Sequence, residues 1–160
     1  MMIEWFECKV RYEKTLNNGL VKKVTEPYLV DALSFTEAEK RFLVEIEPFM
    51  SGVEFTVTDI KRAKISELFE TSDDAADKWF KAKVAFITMD EKTGVEKKSN
   101  QTMLIQASDL RDAVKRLDKG MAGTMADYEI AAIAETPIMD VFHYNVNKSE
   151  APEFSGAVEL

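Results

Sequence analysis

The sequence predicts an α+β protein made of two tandem ββαβ repeats, related by pseudo-two-fold symmetry, in which one helix backs each antiparallel sheet. Three observations predict this class. Residues 1–69 and 79–144 carry the same motifs in the same order. Each repeat opens with apolar residues at every second position, as in a half-buried strand. Each then continues with apolar residues at helical spacing.

The matches between the two repeats are specific. The offset between matching residues stays between 73 and 75 along the chain. In chain order, the matched pairs are Trp5-Phe6 and Trp79-Phe80, Gly19 and Gly94, Lys22-Lys23 and Lys97-Lys98, Lys40-Arg41 and Lys115-Arg116, and Phe69 and Phe142. This period is too long for a solenoid, so we interpret the chain as one duplicated unit.

Each repeat begins with two strands joined by a tight turn. Phe6 and Cys8 alternate with charged residues in the first strand. Gly19 and Gly94 tolerate positive φ and so can close the two hairpins. Pro27 lacks an N–H, so we expect the second strand of the first repeat to lie at an edge or to carry a bulge.

A capped helix and a third β-rich segment complete each repeat. Ser34 with Glu37, and Asp109 with Asp112, occupy the cap and third helical positions, where each pair can exchange hydrogen bonds with backbone N–H groups. Glycines mark the helix ends, at Gly52 and Gly123. The third segments are residues 54–69 and 125–142, with an irregularity expected near Asp59-Ile60 and a bend or edge at Pro137.

A three-stranded sheet with one helix leaves one sheet face uncovered. We therefore expect the second repeat, residues 79–144, to pack on the first, residues 1–69, around a shared core. Residues 70–78 are interpreted as an acidic connector. Residues 145–160 have low apolar density and are interpreted as a flexible C-terminal tail.

Charge and composition exclude several classes. The net charge is −8, but residues 1–69 carry ten basic and twelve acidic side chains, and residues 79–144 carry nine and ten. Each repeat is thus nearly neutral, which leaves a nucleic-acid surface open. No segment resembles a signal peptide or a membrane span, and the single cysteine, Cys8, cannot form an internal disulfide. We expect a cytoplasmic protein without a cofactor or a zinc site.

Four segments of the chain carry a resemblance to a known family. They are Trp5-Phe6-x-x-Lys9-Val10, Tyr28-Leu29-Val30-Asp31-Ala32-x-Ser34-Phe35-Thr36-Glu37-Ala38-Glu39, Asp59-Ile60-Lys61-Arg62-Ala63 and Trp79-Phe80-x-x-Lys83-Val84. These motifs resemble those of the DUF4494 family of small uncharacterised proteins found in Bacteroidetes and their phages. The resemblance covers about residues 4–144. It implies a bacterial or phage cytoplasmic origin, and it implies no activity and no site residues.

The sequence carries no recognisable catalytic motif. His143 is the only histidine, and no nucleophile-elbow sequence accompanies it. The glycines are isolated and match no phosphate-binding loop. The carboxylates of the two helices are interpreted as caps and solvated faces. We expect no catalytic residue and no metal ligand, so the protein is not expected to be an enzyme.

Trp5 and Trp79 suggest a candidate binding surface. Each directly precedes an inward-facing Phe, so simple alternation points both Trp side chains outward, beside lysines. Outward aromatics beside lysines suit single-stranded nucleic acid, whose bases stack and whose phosphates attract cations. The candidate ligand-binding residues are Trp5, Lys9, Lys22, Lys23, Lys61, Arg62, Lys64, Trp79, Lys83, Lys97 and Lys98. The alternative is that the Trp side chains are buried and the lysines merely solvated.

The leading hypothesis is a non-catalytic binding or adaptor protein whose ligand is another macromolecule, most plausibly a protein. The rival hypotheses are a single-stranded nucleic-acid-binding protein and, more remotely, a small-molecule hydrolase or transferase. The tail can also be interpreted as a docking peptide. The sequence leaves the oligomeric state open.

Overall fold

The computed structural model describes residues 3–143, and these residues form two compact units. Unit 1 contains residues 3–63 and 140–143, and unit 2 contains residues 64–139. Each unit has one four-stranded sheet and one helix, so the predicted α+β class with two similar halves is confirmed. The predicted tail, residues 145–160, lies outside the described residues, as does Tyr144.

Unit 1 is built on a hairpin. Strands β1 (Glu4–Thr15) and β2 (Val21–Ala32) pair antiparallel, and β3 (Phe55–Ala63) pairs antiparallel with the other edge of β1. Helix α1 (Phe35–Ile46) follows β2 and continues into a 3₁₀ turn, Glu47–Met50.

Unit 2 repeats this plan. Strands β5 (Lys78–Met89) and β6 (Glu96–Ala107) form its hairpin, and β7 (Asp127–Thr136) pairs with the other edge of β5. Helix α2 (Leu110–Gly120) follows β6.

The fourth strand of each sheet comes from the other sequence repeat. Strand β4 (Glu67–Phe69) ends the first repeat but pairs parallel with β6 in unit 2, and β8 (Val141–Phe142) ends the second repeat but pairs parallel with β2 in unit 1. The prediction of three-stranded sheets is therefore wrong. Each third segment breaks after its long strand, and its last residues add to a different sheet from the one that the long strand joins.

Local irregularities lie where the sequence places them. The register of β1 with β3 shifts opposite Thr58, beside the predicted Asp59, and that of β5 with β7 shifts at the matching position. Pro27 lies in β2 outside the two residues that pair with β8, so its missing N–H breaks no ladder there. Pro137 lies in the break between β7 and β8. The prediction that β2 is an edge strand or carries a bulge is wrong, because β2 lies between β1 and β8 and pairs with β1 without a register shift; only its stretch around Pro27 has no strand on the β8 side. The predicted interruption at Pro137 is confirmed, because β7 ends at Thr136.

Both helix caps form. Ser34 Oγ accepts the Glu37 N–H at 3.2 Å, and Asp109 Oδ1 accepts the Asp112 N–H at 2.8 Å. The acidic side chains in turn accept hydrogen bonds from the backbone of the residue before each cap. Leu33 N–H donates to Glu37 at 2.7 Å, and Ser108 N–H donates to Asp112 at 3.0 Å. Asp112 therefore reaches back despite its shorter side chain.

Each helix covers its own core. In unit 1 the core includes Phe6, Val30 and Phe42, and Phe142 of β8 stacks on Tyr28 with ring centroids 5.6 Å apart. In unit 2 the core includes Phe80, Ile105 and Leu117, with Phe69 of β4 packed against it. The packing of the second repeat on the first stays a prediction. Within residues 3–143, neither α-helix is long and apolar enough to cross a membrane.

Candidate protein-binding surface

In unit 1 an acidic side chain, Glu7, lies within the candidate binding surface predicted around Trp5. Trp5 and Lys9 alternate with the core residues of β1 and therefore share the sheet face away from α1. Glu7 lies between them on that face and pairs with Lys61 of β3 at 3.9 Å. Trp5 is half-buried and meets the His143 ring edge-on, with centroids 5.4 Å apart.

In unit 2 Trp79 is buried, as the alternative interpretation of the sequence expected. Its side chain is 4% exposed, so its ring offers no stacking surface to a base. Alternation correctly places Trp79 on the face opposite Phe80, but it does not determine whether that face is covered. Lys83 is exposed on the same strand.

The remaining predicted cations are spread over both units. Arg62 lies on the helix side of sheet 1, where its guanidinium sits 4.6 Å from the Phe35 ring centroid and 3.0 Å from Glu4. Lys98 pairs with Glu129 at 2.7 Å, which raises the pKa of the lysine. The others are exposed at the hairpin ends and after β3, namely Lys22, Lys23, Lys97 and Lys64. The structure does not gather these residues into one basic surface within either unit.

The matched arginines of the two helices have a structural role. Arg41 binds Asp31 at 3.0 Å and also donates to the backbone oxygens of Asp31 and His143, which holds the end of β8. Arg116 binds Asp112 at 2.8 Å and Asp73 at 2.9 Å, which holds the connector, residues 70–78, in unit 2. Each arginine therefore fastens the chain where it enters or leaves a fourth strand.

No reactive nucleophile emerges from the predicted candidates. Cys8 is 0% exposed in the unit 1 core, and burial raises the pKa of its thiol to about 12. Within residues 3–143, no group of three or more His, Cys, Asp and Glu side chains is placed to hold a metal ion.

The sequence analysis missed a groove at the end of α1. It has a volume of about 930 Å³, and we call it the α1 groove. Its apolar lining includes Val44 of α1, Pro48 of the 3₁₀ turn and Val53 of the following loop, and Glu47 and Glu54 supply its charges. Val44 is 70% exposed and Val53 is 41% exposed, so the apolar lining faces solvent.

A second groove adjoins the first. Its volume is about 920 Å³, and it shares the segment 52–55 with the α1 groove. Its charges are mixed, because Arg11 and Lys23 line it together with Glu13. Its lining therefore does not favour a ligand of one charge, whereas the carboxylates of the α1 groove favour a cationic ligand.

Unit 2 lacks the residues that build the α1 groove. Val44 matches Lys119, which is exposed, and the 3₁₀ turn has no counterpart because α2 ends at Gly120. Gly52 lies 18 positions after Ser34, whereas Gly123 lies 14 positions after Asp109. A residue-by-residue comparison of the repeats after the helices could have revealed this difference from sequence.

These features define a duplicated α+β protein with an apolar, acidic groove on one of its two units. The family described as a domain of unknown function, DUF4494, matches residues 4–144. The chain belongs to this family, which confirms the resemblance seen in its motifs. No curated protein matches the sequence.

Proposed function

We propose that the protein is a non-catalytic binding protein whose ligand is a segment of another protein, held in the α1 groove. One observation carries the proposal: the 3₁₀ turn and the exposed Val44 that line the groove have no counterpart in the described residues of the second repeat, although both repeats have the same fold. The second repeat therefore serves as an internal control for what the fold itself requires.

The fold does not require an apolar residue at position 44. Unit 2 has Lys119 at the matching helix position, and Leu43 similarly matches Asp118. Both apolar side chains are exposed, at 70% for Val44 and 41% for Leu43. Of these two, Val44 lines the groove together with the exposed Val53, and exposed apolar side chains that line a groove are typical of an interaction site.

The size of the groove suits a short peptide segment. Ligand sites have volumes of roughly 300 to 1,000 Å³, and the α1 groove falls in that range. Its apolar lining can bury an aliphatic or aromatic anchor, and covering one exposed valine side chain contributes about 1.5 kcal/mol. A bound segment would thus gain energy from the side chains that the fold leaves in water.

Site-specific photo-crosslinking tests this proposal. A photoreactive amino acid is placed at position 44 and, as a matched control, at position 119 of unit 2, and each protein is exposed to lysate of the encoding organism. We expect a discrete crosslinked protein at position 44 that is absent at position 119. Val53→Lys, which adds a charge to the lining, should remove it. Identical crosslinking profiles at the two positions would contradict the proposal.

Binding of single-stranded nucleic acid is less well supported by the geometry, because Trp79 is buried and Glu7 separates Trp5 from Lys9. Anisotropy of a labelled oligonucleotide tests it directly. Binding that weakens with salt and is lost in Trp5→Ala would favour this rival over protein binding. A cytoplasmic location and a bacterial or phage origin remain part of the proposal.

A further inference from the structure

We infer that the segment bound in the α1 groove is cationic, with lysine or arginine flanking an apolar anchor. This inference rests on the proposed function and specifies the chemistry of the partner. It starts from the charges of the groove: among the described residues, Glu47 and Glu54 line it, and no basic side chain does.

Neither carboxylate forms an ion pair with another described residue. Within residues 3–143, the salt bridges of unit 1 engage Asp31, Glu7 and Glu4, and none engages Glu47 or Glu54. Both glutamates are exposed and fully available to a cation from outside.

The position of Glu47 is unfavourable for the helix. Glu47 is the C-cap of α1 and the first residue of the 3₁₀ turn that continues it, so its carboxylate lies in the C-terminal part of this helical segment, whose partial negative charge disfavours it. The last turn of α1 has no basic residue, whereas the last turn of α2 has Lys119. A cation from a partner would meet Glu47, Glu54 and the helix end together, and would offset this repulsion.

The apolar part of the groove specifies the anchor. Val44, Pro48, Val53 and Phe55 line the groove together with the two carboxylates and provide no polar side-chain group. An aliphatic or aromatic side chain between basic residues therefore matches both the apolar lining and the charges. The adjoining groove, with Arg11 and Lys23 in its lining, lacks this complementarity.

Selection from a phage-displayed library of random 12-residue peptides tests the inference. Peptides are selected on the full-length protein and counter-selected on Val44→Lys, which copies the residue of unit 2. We expect the selected pool to be enriched in lysine and arginine around an apolar residue. A second selection on the double variant Glu47→Gln/Glu54→Gln should lose the basic enrichment.

A matched variant controls for the overall acidity of the protein. Glu91→Gln/Glu96→Gln removes the same charge from exposed positions of the unit 2 hairpin. A selected peptide should bind Glu47→Gln/Glu54→Gln roughly 2- to 30-fold more weakly than wild type, as expected for two exposed ion pairs, and should bind the control variant within about 2-fold of wild type.

The outcomes separate the two proposals. A pool that discriminates wild type from Val44→Lys but shows no basic enrichment overturns the cationic partner and leaves the groove as a binding site. Equal weakening by the two glutamate variants also overturns it, because the attraction would then be to net charge. Failure to recover any peptide that binds wild type more tightly than Val44→Lys overturns the proposed function itself.

Discussion

Replacing Phe142 by Ala should destabilise unit 1, although Phe142 belongs to the second sequence repeat. Phe142 is 8% exposed, and its ring lies 5.6 Å from that of Tyr28 and 5.8 Å from that of Phe49. Truncating a buried Phe costs about 3 to 5 kcal/mol. Phe49 is 56% exposed, so water can reach part of the space left behind, and we expect the lower end, about 3 kcal/mol.

Hydrogen exchange followed by mass spectrometry locates the effect. About 3 kcal/mol corresponds to exchange roughly 100-fold faster. This acceleration should appear in β2 and α1 of unit 1, to which β8 belongs, and should be smaller in β5 to β7.

The matched variant reverses the pattern. Phe69→Ala removes the half-buried ring of β4, which belongs to the first sequence repeat, and should cost about 2 kcal/mol in β6 and α2 of unit 2. If each variant instead loosens the sheet of its own repeat, then the assignment of the fourth strands is wrong.

Three further predictions concern single residues. Gly120→Ala should lower the free energy of unfolding by about 1 to 3 kcal/mol in denaturant titrations, because the added Cβ would lie 2.5 Å from a ring carbon of Phe69. In a Phe69→Ala background, the same substitution should cost much less. If the effects of the two substitutions on the free energy of unfolding were fully additive, the clash would be contradicted. Burial raises the pKa of the Cys8 thiol to about 12, so Ellman's reagent at pH 8 should react with it only after denaturation, and rapid reaction of the native protein would count against this burial. A backbone N–H and the Arg116 guanidinium hold the pKa of Asp112 below its ordinary value of 3.8, so its contribution to stability is present above that pH and is lost as pH falls through the folded-state pKa. Thermal melting between pH 5 and 2.5 should therefore show a weaker acid dependence for Asp112→Asn than for wild type, and identical curves would refute the linkage.

Interactions local in sequence explain the successful predictions. A cap such as Ser34 with Glu37 requires side chains three residues apart, and a hairpin turn requires a residue such as Gly19 that accepts positive φ, observed at 83°. The bulge at Thr58 of β3 has a counterpart at the matching position of β7, where the register with β5 also shifts by one residue. The duplication itself is visible because it preserves residue types at a nearly constant offset.

The groove was missed for a different reason. Val44 extends an ordinary helical pattern, and Glu47 resembles a solvated charge. Only the fold brings Val44, Glu47 and Val53 to one concave surface. The comparison with Lys119, at the matching position of α2, then shows that the fold does not need an apolar residue at position 44.

The sequence by itself determined the duplication, the order of the long strands and the α-helices, and the residues that face each helix, because periodicity and capping depend on near neighbours. The tertiary structure decided which sheet receives β4 and β8, and whether the second sheet face at Trp79 is covered. Strands of two or three residues carry too little periodicity to specify a partner. Their side chains are held by tertiary contacts, with Phe142 stacked on Tyr28 in unit 1 and Phe69 packed beside Gly120 in unit 2.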